Sequence, residues 1–205
     1  MSSERTKKHS AFLTAMEARD VDQMRKLAME INLNVFHQYR DGQFNLLFHA
    51  SINNSDDAFK ILIDCGINAM AKNIHGATVL TPIIKRNQVQ MAKLCIDSLD
   101  EESRRKFVNN EINSGWTALM SCAEHNKYEM AELLVQSGAE VNKVMGTGWS
   151  AMHAAAKMGH FQILELLLQN GGDKSIKAIH RNFGSQLHVR DVTTDSKIIQ
   201  LLDRY

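Results

Sequence analysis

The stretch Gly115-Trp116-Thr117-Ala118-Leu119 returns 33 residues later as Gly148-Trp149-Ser150-Ala151-Met152. The phase holds downstream: Ala123 meets Ala156, Leu133-Leu134-Val135 meets Leu166-Leu167-Leu168, and Gly138 meets Gly171. A period that keeps small, apolar and glycine positions in step restricts the chain to a stack of like units. Each unit is too small to bury its own apolar faces, so the core forms between neighbours. Upstream, Leu80 lies 33 residues after Leu47, and Leu94 lies 33 after Ile61. Gly76 precedes Leu80 as Gly115 precedes Leu119, while Gly42 stands one residue further from Leu47, an insertion in that turn. Phe12 and Leu27 precede Leu47 and Leu62 by 35 residues. At the far end, Leu187-His188 and Leu201-Leu202 follow Met152-His153 and Leu166-Leu167 by 35. Six units result, the outer two degenerate, because a terminal unit turns one face to water.

The residues within a unit point to two helices. Thr117 and Ser150 stand where a side-chain oxygen caps a first helix. Cys122-Ala123 and Ala155-Ala156 are small enough for the next unit's helix to approach closely. Gly159 ends the first helix, and Asn126 and Asn87 take the same place, since asparagine tolerates a left-handed backbone. A leucine-rich second helix follows, closed by Gly138, Gly171 and Gly66. The third unit departs from this plan. Its Thr81 is read as a cap and Pro82 as the first helical residue, which starts that helix late. The segment from Ile96 to Ser114 is six residues longer than the period allows. The favoured reading is a longer second helix with Phe107 and Val108 folded onto the stack. The other is a protruding element with its own partner, using Arg104, Arg105 and Lys106.

Several chemistries are disfavoured. Net charge is +1, with 44% apolar and 23% charged residues. That balance does not suggest a nucleic-acid backbone or an anionic membrane as partner. No apolar run approaches the ~18 residues of a spanning helix, and the start, MSSERTKKHS, has no apolar core of a secretory signal. Cys65, Cys95 and Cys122 form no metal-spaced set and read as reduced core thiols of a cytoplasmic or nuclear protein. Ser150 lacks the closing glycine of a nucleophile elbow, because Met152 stands there. His153 and His160 are seven apart, not the four of a helical zinc pair. Neither a metal, a cofactor nor a catalytic residue is expected, and the chain is read as not an enzyme.

The segments Gly115–Asn142 and Gly148–Asp173 resemble ankyrin repeats, whose pattern runs G-x-T-P-L-H-x-A-A, a short turn, a leucine-rich helix, then G-A-D-V-N. The likeness is closest over 112–178, looser over 39–96 and loosest over 8–38 and 179–205. It implies an all-α ankyrin-repeat solenoid of about six helix-turn-helix repeats joined by β-hairpin-like loops, the outer repeats being degenerate caps. Residues 1–7 are expected as a flexible N-terminus and 8–205 as a single domain. Approximate repeats are 8–38, 39–72, 73–111, 112–144, 145–178 and 179–205. The resemblance also implies that His153 ties neighbouring hairpins by hydrogen bonds, and that Asn142 resembles hairpin asparagines hydroxylated in some members.

Such a stack implies a concave groove lined by hairpins and first helices. After each glycine stand Trp116 and Trp149, with Phe44 and Ala77 as the nearest equivalents. The hairpins supply Ile74, His75, Asn113, Ser114, Gly146 and Thr147. First-helix ends supply Ile52 and Asn53, Lys85 and Arg86, Glu124 and His125, then Lys157 and Met158. The two tryptophans are read both as shields of the hairpin base and as aromatic anchors for a partner. Charges along this line alternate in sign, which suits a protein segment better than a phosphate backbone. The function expected is a non-catalytic protein–protein interaction module, monomeric on its own, that binds a domain or peptide as adaptor or inhibitor. The alternatives are the targeting domain of a larger enzyme or effector, and a nucleic-acid-associated regulator.

Overall fold

The computed structural model describes residues 2–31, 37–39, 42–73, 75–112, 115–179 and 186–205, with 2–6, 37–39 and 42–44 described by backbone alone. They form two compact units, Met1–Ser103 and Arg104–Tyr205.

In the first unit, α1 (Ser2–Glu17) and α2 (Val21–Glu30) precede a hairpin of β1 (His37–Tyr39) and β2 (Gly42–Phe44). The strands pair antiparallel with Gln38 opposite Gln43. Then come α3 (Leu46–Ile52), α4 (Asp56–Asp64), α5 (Leu80–Arg86) and α6 (Val89–Asp97). First helices α1, α3 and α5 pack in succession, as do second helices α2, α4 and α6. Phe12, Phe48, Phe59 and Leu62 are fully buried in this unit. α1 begins at Ser2, earlier than the repeat boundary expected at residue 8.

The unit boundary falls within α7 (Glu101–Val108). The second unit continues with α8 (Ala118–Glu124), α9 (Tyr128–Gln136), α10 (Ala151–Met158) and α11 (Phe161–Gln169). A hairpin of β3 (Lys177–Ile179) and β4 (Gln186–His188), a 3-10 turn at Val189–Val192 and α12 (Ser196–Arg204) complete it. Here α8 packs on α10 and α10 on the 3-10 turn, while α9, α11 and α12 form the other row.

One turn is repeated five times. The first helix of each hairpin ends at a residue with positive φ: Arg19, Asn54, Asn87, Asn126 and Gly159. The next amide then reaches back five residues, as in Gln88 N–H to Ile83 O (3.0 Å), Lys127 to Cys122 (3.0 Å) and His160 to Ala155 (2.9 Å). This closure satisfies carbonyls that the helix end leaves free. Second helices close in the same way twelve residues later, at Gly66, Gly138 and Gly171. Their following amides bond to Leu62, Leu134 and Leu167.

N-termini follow the expected chemistry at Thr117 and Ser150, whose hydroxyls accept from the amides of Met120 (3.2 Å) and His153 (3.4 Å). Asn45 does this for α3, accepting from Phe48 N–H at 3.1 Å. In α5 the expectation fails. The helix starts at Leu80, so Thr81 lies inside it and Pro82 is its third residue. Thr78, buried, holds the place of Thr117 in the register, and its carbonyl accepts from Thr81 N–H. Proline is tolerated there because the first four amides of a helix lack intrahelical acceptors anyway.

The six extra residues do not lengthen the second helix. α6 stops at Asp97, and α7 is a separate helix whose start is held by Asp100, accepting from Ser103 N–H at 2.9 Å. Position 99, where a closing glycine would fall, is leucine, so the chain turns differently and starts again. Phe107 and Val108 are buried, as expected. Arg105 lies with its stem over Gly138, 3.2 Å from where a Cβ would stand. At the C-terminal end, Leu187 and His188 fall in a strand rather than a first helix, and a 3-10 turn replaces that helix. α12 buries Ile198, Leu201 and Leu202 and leaves its polar face outward, as a cap requires.

Candidate protein-binding cleft

Ties between successive repeats fix the face on which the candidate residues sit. The Asn109 amide donates to Gly138 O (2.9 Å) and accepts from Glu140 N–H (2.7 Å). Asn142 repeats this 33 residues on, donating to Gly171 O (2.8 Å) and accepting from Asp173 N–H (2.7 Å). Both amide atoms of Asn142 are thus engaged in holding one turn to the next. On the other side, Thr147 O accepts from Ile179 N–H at 2.7 Å, joining two hairpins.

The bases of these hairpins carry the tryptophans. Trp116 and Ile112 exchange backbone bonds at 3.0 and 2.9 Å, and Trp149 O accepts from Met145 N–H at 3.0 Å. With their backbones fixed, both half-buried indoles line one cleft of about 480 Å³ within Arg104–Tyr205. Glu124, Thr147, Lys157 and Met158 join them there, as the sequence reading places them in one groove. Met145, Ala154, Ile179 and Leu187 also line the cleft and were not singled out from sequence. Ile179 falls one period after the Gly146–Thr147 tip, which is the signal that points to it. Met158 and Ile179 are 49% and 53% exposed, so the cleft offers apolar surface that no part of the described chain covers. Lys157 holds its ammonium 5.5 Å from the centre of the Trp149 ring. The His153 ring centre lies 5.2 Å from that of Trp149, with the two rings tilted by 33°.

Ser150 and His153 form a hydrogen-bonded pair, Oγ to Nδ1 at 2.8 Å, but both are buried. His153 Nε2 lies 3.3 Å from Leu187 O. The consistent arrangement has Ser150 donating to Nδ1 and Nε2–H donating to the carbonyl, a neutral ring tying two hairpins. Burial holds its pKa below the ordinary value, against the bond to Leu187, with the His188 charge adding to the depression. The Ser150 oxygen accepts the cap bond while its proton goes to Nδ1, and both residues are sealed from solvent, so the pair presents no nucleophile to a substrate. His160 is similarly engaged, donating from Nδ1 to Ala123 O at 2.8 Å. Cys95 and Cys122 are buried thiols, pushed upward by burial, Cys122 to about 12.

The remaining candidates, His125 apart, belong to Met1–Ser103 or lie outside the described residues. Ile52 is half-buried, and His75, Lys85 and Arg86 are exposed. Asn53 donates to His49 O at 2.8 Å and lines a separate cleft of about 490 Å³ beside Met16, Arg19 and Asp56. Ala77 is 7% exposed, so it packs rather than presents a surface. His125 is exposed, with Nδ1 2.9 Å from Ser121 O. Ile74, Asn113 and Ser114 lie outside the described residues, and Phe44 is described by backbone alone. Among the described residues, no three metal-type side chains gather at one point. None of the described helices is long and apolar enough to cross a membrane.

Comparison with known proteins agrees with the repeat geometry. The chain's fold is similar to the crystal structure of EF0377, an ankyrin repeat protein, with TM-score 0.76 over 95% of this chain and 97% of that one, at 21% identity. No curated protein matches the sequence. The family profile for ankyrin repeats (3 copies) matches residues 47–145 and again 106–178, together well over half of the sequence. Five hairpins closed by the same left-handed turn, paired asparagine staples and this match lead to one assignment: the chain belongs to the ankyrin-repeat family.

Proposed function

We propose that the chain is a non-catalytic recognition module that binds a protein domain or peptide segment on its hairpin and first-helix face, acting as adaptor or occluding inhibitor. Ankyrin repeats are in general protein–protein interaction modules. The observation that carries the reading here is the convergence of Trp116, Trp149, Met145, Met158 and Ile179 on one open cleft. Large aromatic side chains with apolar neighbours dominate interface energies when a partner desolvates them. Their backbones are already fixed by hairpin bonds, so little ordering is required on binding. An interface of standard size would cover about 800 Å² of this chain, more than the cleft alone, so neighbouring groove positions such as His125 take part. Residues 8–205 are read as a single repeat domain, working in the cytoplasm or nucleus as a monomer.

The test is affinity capture with wild type and the Trp116→Ala/Trp149→Ala variant from the native source. Partners retained by wild type and lost from the folded variant are cleft ligands. A folded variant that keeps every partner contradicts the reading.

A further inference from the structure

The cleft has a charge order as well as an apolar floor. Glu124 follows Trp116 by eight residues, and Lys157 follows Trp149 by eight. The acid and the base therefore occupy equivalent places, at or near the ends of first helices α8 and α10, in adjacent repeats. The Glu124 carboxylate is 44% exposed, and His125 Nδ1 lies 3.9 Å from it. Among the described residues the two do not pair with each other; Lys157 instead rests over Trp149 at 5.5 Å. Lys157 thus stands beside its own indole, and both charged residues line the cleft.

We propose that the occupant is an extended segment of a partner protein that places an apolar side chain between the indoles, an acidic residue at Lys157 and a basic residue at Glu124. The proposal rests on the cleft being the recognition face. Charge complementarity selects this partner: an opposite charge brought to either position gains a charge-assisted contact at the edge of an apolar surface, where water is displaced. A uniformly acidic or basic strand would meet repulsion at one of the two, which argues against a nucleic-acid backbone. The spacing follows from the repeat. Packed helices stand ~10 Å apart and an extended chain advances ~3.3 Å per residue, so acid and base fall about three residues apart. A helical segment, rising ~1.5 Å per residue, would need about seven.

The experiment selects peptides from a random phage-displayed library on the whole chain. Parallel selections use Glu124→Lys/Lys157→Glu and Trp116→Ala/Trp149→Ala, each first checked for a native circular-dichroism melt. Wild type is expected to enrich peptides with an apolar residue flanked by an acid and a base about three positions apart. Such a peptide, made synthetically, should bind Lys157→Glu on the order of tenfold more weakly. Exchanging its acid and base should restore binding to the charge-exchanged chain. Peptides that need both tryptophans but carry no charge preference, or carry charges about seven apart, overturn this inference alone. Peptides that bind the tryptophan variant equally well, or no enrichment at all, overturn it together with the recognition reading.

Discussion

His160 donates from Nδ1 to the carbonyl of Ala123 at 2.8 Å, across 37 residues of chain. Gln88 reaches Ser51 O at 2.8 Å across the same interval in the other unit. Both stand just before a second helix and reach back to the first helix of the previous repeat. Two different side chains thus do one job. His160→Ala removes the donor and is expected to destabilise by about 1–3 kcal/mol, because a buried carbonyl loses its partner. Tm should fall ~2–4 °C for each kcal/mol. His160→Gln should recover most of the loss, as Gln88 does naturally. Equal melting of wild type and His160→Ala would show that the bond is idle.

The paired asparagine staples give a local readout. Asn142→Ala removes the donor to Gly171 O and the acceptor for Asp173 N–H. The expected cost is about 1–2 kcal/mol, with faster amide hydrogen exchange at Asp173. Glu140, held by Asn109, should exchange as in wild type. Uniform acceleration at both amides would mean the staple acts globally instead.

Acid should weaken the second unit through His153. Burial lowers its pKa in the folded state, so the unfolded chain binds the proton first, near the ordinary value of about 6.5. Stability from this group is complete above that pH and is lost as pH falls through it toward the lower folded value. The difference in unfolding free energy between wild type and His153→Gln should be constant above about pH 7 and shrink below it. A difference that does not vary with pH would place the proton elsewhere.

Two glycines with similar backbone angles should respond differently to alanine. At Gly148, with φ +77°, a Cβ would sit 2.2 Å from Lys177 O. At Gly66, with φ +80°, the space is open. Gly66→Ala carries only the left-handed penalty of about 1–2 kcal/mol. Gly148→Ala adds displacement of the next hairpin and should exceed that by about 1–3 kcal/mol. Equal losses in chemical denaturation would contradict the close hairpin approach.

Much of this was legible where the physics is carried by residue type. The closing glycines Gly138 and Gly171, the caps Thr117 and Ser150, and the turn residues Asn87, Asn126 and Gly159 announce their conformations in the sequence. Arg19 was not legible as a turn residue, since arginine has no local means to favour positive φ; the stack imposes it. The role of His160 was hidden because its partner is a backbone carbonyl, which leaves no mark in side-chain pattern. Thr81 misled because it precedes proline, although Thr78 kept the repeat's register. The separate helix α7 followed from the missing glycine at position 99, a signal read as length and not as a new start. In the cleft, the tryptophans were visible by phase, whereas Met145 and Ala154 lie at positions the groove pattern does not mark as free.

The chain has two tryptophans, and both line the cleft. Their emission therefore reports on the proposed recognition face without any label. A partner recovered by the capture experiment should, at saturation, shift that emission to shorter wavelength and protect it from acrylamide quenching, as water leaves the indoles. A saturating partner that leaves emission and quenching unchanged binds elsewhere, and the account of this cleft is then wrong.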